Sequence, residues 1–150
     1  MGQQQLLLLV LGIVIVGLSV VVGIQAFSEN QKKANADSLV NDAIRIASDA
    51  QAWKLKPSAF GGGSSATDWD GLTFSQIGYS TGDNGLHPGT DAEATEHENL
   101  NGVFTLSDDG SELTITANSF DGNGDALNTV VLVVSGTTPG DIATTINAAE

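Results

Sequence analysis

Three groups of residues in this 150-residue chain have types and spacings that could do chemistry. The first is Asp121-Gly122-Asn123-Gly124-Asp125, where carboxylate and amide oxygens alternate as at the start of a calcium loop, with Asn128 as a further oxygen. The bidentate acid such a loop needs at its twelfth position is replaced by Leu132, and a polar turn before a strand explains the segment as well. The second group is His87 and His97 among Asp91, Glu93, Glu96 and Glu98, ligand types that suit a transition metal. Their spacing fits no recognised ligand pattern, and His97-Glu98 lacks the later histidine of a zinc protease, so a solvated loop is expected. The third is Gln3-Gln4-Gln5, amides that can hydrogen-bond without charge at the edge of an apolar run. Catalysis has little support. There is no cysteine, no nucleophile elbow and no phosphate-binding Gly-Lys pattern, and the chain is not expected to be an enzyme.

The elements that position these residues begin with a stem. Leu6 to Ile24 holds no charge and one clearly polar residue, Ser19. As a helix its 19 residues rise about 28 Å, enough to cross the hydrocarbon core of a bilayer. The run is longer than a usual signal-peptide core and lacks a basic region before it, so a retained segment is expected. Gly12, Gly17 and Gly23 weaken a helix in water, yet small residues let packed helices approach closely and ease local melting. Past the stem, Ala36, Leu39, Val40, Ala43, Ile44, Ala47, Ala50 and Trp53 recur at helical steps as one apolar face. Opposite charges at helical spacing suggest pairing of Glu29 with Lys32 or Lys33, and of Arg45 with Asp42 or Asp49. Pro57 is a natural stop. One helix from about residue 3 to residue 55 would be roughly 80 Å long, which suits an assembly better than a lone soluble domain.

The remainder reads as a small antiparallel sheet. A Gly/Ser loop (Gly61 to Ser65) precedes short β-like runs: Leu72 to Tyr79, Val103 to Leu106, Leu113 to Ala117 and Thr129 to Val134. Asp108-Asp109-Gly110-Ser111 is a hairpin signal between the second and third. Residues 81–99 suggest a polar surface loop, and residues 141–149 a short closing helix or irregular tail. Trp53, Phe74, Phe104, Leu106, Ile115 and Val131 are the expected core. The fold class is therefore α+β, in three parts: a stem over 1–27, the amphipathic half of the same helix over 28–56, and an acidic antiparallel head over 57–150.

Charge is strongly segregated. The net charge is −13, all five basic residues (Lys32, Lys33, Arg45, Lys54, Lys56) lie between 32 and 56, and fourteen acids follow Pro57 with no Lys or Arg. Such a head repels nucleic acid and anionic lipid, and needs salt, divalent cations or a neighbour's basic belt as counterions. Without cysteines its stability must come from packing, hydrogen bonds, ions or assembly. No Asn-x-Ser/Thr sequon occurs, and Phe27 is the only aromatic residue in the first 50, so a stacked-ring path along the stem is not expected.

This layout resembles type IV pilins and pseudopilins. The matching pieces are MGQQQLLLLVLGIVIVGLSVVVGIQAF, ANADSLVNDAIRIASDAQAW, and the hairpin GVFTLSDDGSELTITA followed by TVVLVV. The resemblance covers the whole chain in architecture and is most specific at the stem. It implies a structural protein that waits in the cytoplasmic membrane and is lifted by the type IV pilus assembly machinery into an extracellular helical homopolymer for adhesion, attachment or motility. It implies a peptidase-processed, often methylated N-terminus, expected at Met1. The family commonly has a glutamate at the fifth mature position, meeting a neighbour's terminal amine, where this chain has Gln5. The family's stem proline is absent, and Gly12, Gly17 or Gly23 would take over its role. The expected assembly residues are thus Met1, Gln3, Gln4, Gln5, Gly12, Gly17 and Gly23. No cofactor is implied beyond possible calcium at Asp121, Asn123 and Asp125. Two alternatives stay open: a pseudopilin or minor pilin of a secretion or DNA-uptake machine, and a monomeric single-pass membrane protein with a ligand- or calcium-binding head.

Overall fold

In the computed structural model, which describes residues 2–63, 68–81, 93–121 and 124–148, one helix dominates. Helix α1 spans Gly2–Leu55 and runs through all of the stem glycines without a break. Five strands follow: β1 (Glu96–Asn99), β2 (Gly102–Asp108), β3 (Leu113–Phe120), β4 (Ala126–Val134) and β5 (Ile142–Ala148). They form one antiparallel sheet in sequence order, β1 to β5. The architecture is α+β, a long N-terminal helix packed on a small antiparallel sheet. The chain divides into two compact units, Met1–Ala34 and Asn35–Glu150, and α1 contributes to both.

Within the second unit the helix buries one stripe. Ala36, Leu39, Ala43, Ile46, Ala47, Ala50 and Trp53 are buried, at steps of three and four. Opposite them lie Phe104 and Leu106 of β2, Leu113, Ile115 and Ala117 of β3, and Val130, Leu132 and Val134 of β4. The alternating burial of β3 and β4 follows from the strand period of two, one face on the helix and one toward solvent. Each fully buried large apolar side chain contributes about 1.5–3 kcal/mol, so this interface is what folds the unit. Gly102 shows how closely the layers meet. A Cβ there would strike the Asn118 carbonyl and the Leu39 side chain.

Several expectations need correction. Residues 72–79 are not a strand. Thr73 and Gln76 form a reciprocal cap, and Phe74–Ile77 is a 3₁₀ turn closed by Gly78 at φ 87°. Residues 96–99 are strand β1, not loop, because β2 offers them a complete antiparallel partner. The segment after Asp141 is neither helix nor irregular. Pro139–Asp141 is a 3₁₀ turn, and the β-branched run beyond it pairs with β4 as β5. In β4 the alternation is shifted by one: Val130, Leu132 and Val134 face the helix, while Val131 lies half-buried on the outer face. In α1, Ile44 is 40% exposed and Ile46 takes the core position. The Gly/Ser loop is more than a linker. Gly63 donates its N–H to the Trp53 carbonyl, the Trp53 indole donates to the Gly61 carbonyl, and a Cβ on Gly63 would strike the indole ring.

The β4 phase gives a direct test. Leu132→Ala should lower unfolding free energy by about 2–5 kcal/mol in urea melts, whereas Val131→Ala should cost about 1 kcal/mol or less. Equal losses at both positions would contradict the observed register.

Candidate assembly interface

The most unusual surface belongs to the first unit. From Leu6 to Phe27 every Leu, Ile, Val and Phe side chain is at least half exposed, from 50% at Val10 to 71% at Leu7. The most apolar 18-residue window of α1 has a mean hydropathy of 3.1 and is wholly unburied, and the helix is long and apolar enough to cross a membrane. The one polar group inside the run, the Ser19 hydroxyl, donates to the Ile15 carbonyl at 2.8 Å, which satisfies it within its own helix. Gln3, Gln4 and Gln5 are exposed, so their amides are presented outward. A Cβ at Gly12, Gly17 or Gly23 would meet nothing within 4 Å, so no contact inside the chain requires glycine there. Met1 lies outside the described residues.

At the start of the second unit, polar side chains pin α1 to the sheet. Asn128 of β4, 1% exposed, donates from Nδ2 to Asn35 Oδ1 at 3.1 Å. Asp42 Oδ2 accepts from Asn101 Nδ2 at 2.7 Å and from Asn99 Nδ2 at 3.0 Å. Asn99 Oδ1 in turn accepts the backbone N–H groups of Asn101 and Gly102, which closes the β1–β2 turn. Further along, the buried Gln51 donates from Nε2 to the carbonyls of Thr138 at 2.8 Å and Gly136 at 2.9 Å. Thus Asp42 spends its carboxylate on sheet amides and Asn128 spends its amide on the helix. Asn128 is buried against the helix, whereas the turn joining Asp121 to Asp125, with which a calcium loop would group it, is exposed.

The other sequence-selected groups resolve as follows. Asp121 Oδ1 accepts the Asp125 backbone N–H at 2.9 Å, and Asp121 and Asp125 also join through backbone at 2.8 Å. This is the closure of the β3–β4 turn, with Gly124 at φ 91°. Asn123 lies outside the described residues. Among the described residues no group of three acidic or histidine side chains is placed to hold a metal. His97 is not on a solvated loop. It sits in β1 opposite Phe104, packs against Phe74, Tyr79 and Phe104 at ring separations of 5.0–6.1 Å, and meets the Ser80 carbonyl through Nδ1 at 2.8 Å. The strand period sets Glu96 and Glu98 on the other face from it. His87 and Asp91 lie outside the described residues.

Two ionisable groups are shifted by this packing. Lys54, expected in an exposed basic belt, is 6% exposed, and its Nζ lies 3.9 Å from the centroid of the buried Trp69 ring. Burial pushes its ammonium pKa down, with Asp68 opposing. Tyr79 donates its hydroxyl to Asp49 Oδ2 at 2.7 Å. Burial first, then this bond and the charge of Asp49, push the phenol from 10.0 up to about 12. Sequence reading missed Trp69, Lys54 and Gln51. For Gln51 and Lys54 the signal was the continuation of the helical stripe to positions 50, 51, 53 and 54, which admits polar residues only if they find partners; Trp69, beyond α1, had no periodic signal.

Comparison with family models, with curated proteins and with solved structures finds no match for this chain.

The Tyr79 shift predicts an alkaline response. Between pH 10.0 and about 12 the unfolded phenol ionises while the folded one keeps its proton, so the native state binds more protons and stability falls as pH rises. Tyr79→Phe should cost about 1 kcal/mol at neutral pH and flatten that alkaline decline in melting experiments. An unchanged decline would assign it to other groups.

Proposed function

We propose that this chain is the structural subunit of a type IV pilus-like filament on the cell surface, held in the cytoplasmic membrane by its stem before assembly. The observation that carries this reading is the uncovered apolar surface of α1 from Leu6 to Phe27, on a helix whose later half is fully engaged with the sheet. A patch of that extent in water must be covered by lipid or by other copies. Moving the stem from lipid into a filament core exchanges one apolar setting for another. The gain must therefore come from close packing and from satisfaction of polar groups. Gly12, Gly17 and Gly23 supply close approach, which fits the open space that a Cβ at each would meet among the described residues. Gln3, Gln4 and Gln5 supply hydrogen bonds between neighbouring stems. The exposed cations Lys33, Arg45 and Lys56 lie where acidic heads of neighbours could be neutralised.

Electron microscopy of material sheared from producing cells, with mass spectrometry of the purified subunit, tests the reading. Thin filaments built of this chain are expected. Protein found only in membranes, one stem per micelle, would favour a monomeric anchored head instead. Gly17→Leu should lower filament yield strongly while leaving the circular dichroism of the head unchanged. Filaments formed in normal yield by that variant would remove Gly17 from the packed surface. Gln5→Glu should be tolerated if a neighbour's terminal amine lies beside it, and its loss of assembly would show that the amide itself makes the contact.

A further inference from the structure

The two edges of the sheet are unlike. Edge strand β1 reads Glu-His-Glu-Asn, with two acids and a histidine on an edge of four residues. Edge strand β5, Ile142–Ala148, reads Ile-Ala-Thr-Thr-Ile-Asn-Ala and carries no charge and no proline. Among the described residues, β4 is its only strand partner. A neutral, β-branched, seven-residue edge carries neither the charges nor the proline that commonly block pairing with another chain.

The side chains beside this edge are also uncovered. Ile142, Thr144 and Ile146 lie opposite Val134, Leu132 and Val130, on the helix face of the sheet. Yet Ile146 remains 51% exposed, and Thr144 is exposed as well. Ile142 and Thr144, with Ile44 of α1, also 40% exposed, border a shallow groove completed by Ser48, Gln51 and Pro139. The helix covers β2 to β4 and Ile142 packs against that core, while Thr144 and Ile146 of β5 stay exposed.

We propose that the β5 edge is a docking site for β5 of a second copy of this chain, paired antiparallel across a two-fold axis. Charge limits how two copies can meet. The head from Pro57 onward has fourteen acids and no Lys or Arg, so two copies repel over most approaches, and β5 itself is a strip that carries none of those acids, Asp141 and Glu150 falling just outside its ends. Pairing β5 with β1 instead would continue the sheet indefinitely and bring Glu96 into the junction. Self-pairing is also complementary in register. With Thr145 on the axis opposite its own counterpart, Thr144 of each copy lies opposite Ile146 of the other, on the helix face. Each exposed Ile146 is then covered, and each groove beside Ile44 is bordered by the incoming strand. A two-fold contact closes on itself, so it joins chains in pairs and does not extend a polymer. Only its role in the cell, lateral joining of subunits already arrayed by their stems, rests on the filament reading.

The chain has no cysteine, which makes the test clean. Thr145→Cys is introduced into the full chain in detergent, and disulfide dimer formation under mild oxidation is compared with Thr116→Cys, on the outer face of central strand β3. Both variants share any stem-driven association. Thiols held in register react at a concentration set by geometry, so Thr145→Cys should cross-link about tenfold or more faster. Adding Ile146→Lys should return it to the Thr116→Cys rate, and raising salt should speed cross-linking by screening the acidic heads. Equal rates for the two cysteine variants, persistence after Ile146→Lys, or slowing with salt would each overturn the proposal. Hydrogen exchange of the unmodified chain gives a second readout: amides of β5 should become more protected with rising protein concentration, and concentration-independent exchange would also overturn it. A chain that forms no filaments can pass these tests, and one that forms them can fail.

Discussion

The stripe from Leu39 to Trp53 on α1 has to be kept from water, and almost everything in the second unit follows from that need. Strands β2, β3 and β4 supply a matching surface of alternate side chains. The short 3₁₀ turn at Phe74–Ile77 and the buried Trp69 close it at one side, and the glycine loop folds back over Trp53 at the helix end. Among the described residues the first unit has no such partner. A single helix thus carries two opposite halves, one buried along a stripe against the sheet and one apolar and exposed.

How far this could be read from the residues depended on how local each signal was. The continuous apolar run, the stop at Pro57 and the Asp-Asp-Gly-Ser hairpin are local, and the fold follows them. The hairpin turn is held by Asp109 Oδ1, which accepts from the N–H groups of Ser111 and Glu112. The strand phase in Thr129 to Val134 was not local. A run of Val on both faces has no alternation to read, and only pairing with Leu113 to Phe120 decides that Val130 and Leu132 turn inward. Strands β1 and β5 were missed for the same reason, since each exists by virtue of its neighbour. The Leu72 to Tyr79 segment failed differently. Its apolar residues suggested a strand, but the Thr73–Gln76 cap outweighed them. Of the candidate site residues, the glutamines and stem glycines stood out because so little else in the stem is polar or small. The clasp residues Asn35, Asp42, Asn99 and Asn128 did not, because isolated Asn and Asp look like ordinary surface.

Several polar groups at this core are matched across the helix–sheet interface, although the Trp69 indole N–H and the Ser119 hydroxyl are buried without a hydrogen-bond partner among the described residues. Gln51, Asn128 and Asp49 each meet a partner across the interface, and Lys54 lies against an indole face. A buried amide without a partner costs about 1–3 kcal/mol, so such pairs add less to stability than they subtract from any arrangement that separates them. The segregated charge acts in the same selective way at the surface. It makes most encounters between heads unfavourable and leaves few approaches open.

The amide clasp has a further consequence for uniqueness. Four of the seven buried apolar positions on the α1 stripe are alanine: Ala36, Ala43, Ala47 and Ala50. Along this stripe only Leu39, Ile46 and Trp53 oppose by bulk a slip of one turn, about 5.4 Å, since alanines make few shape-specific contacts. That slip would part Asn35 from Asn128 and Asp42 from Asn99 and Asn101 at once. The clasp therefore works as a key in a keyway. It selects one seating of the helix from several that greasy packing alone would nearly tolerate, and so lets every copy of the chain fold to the same length of free stem.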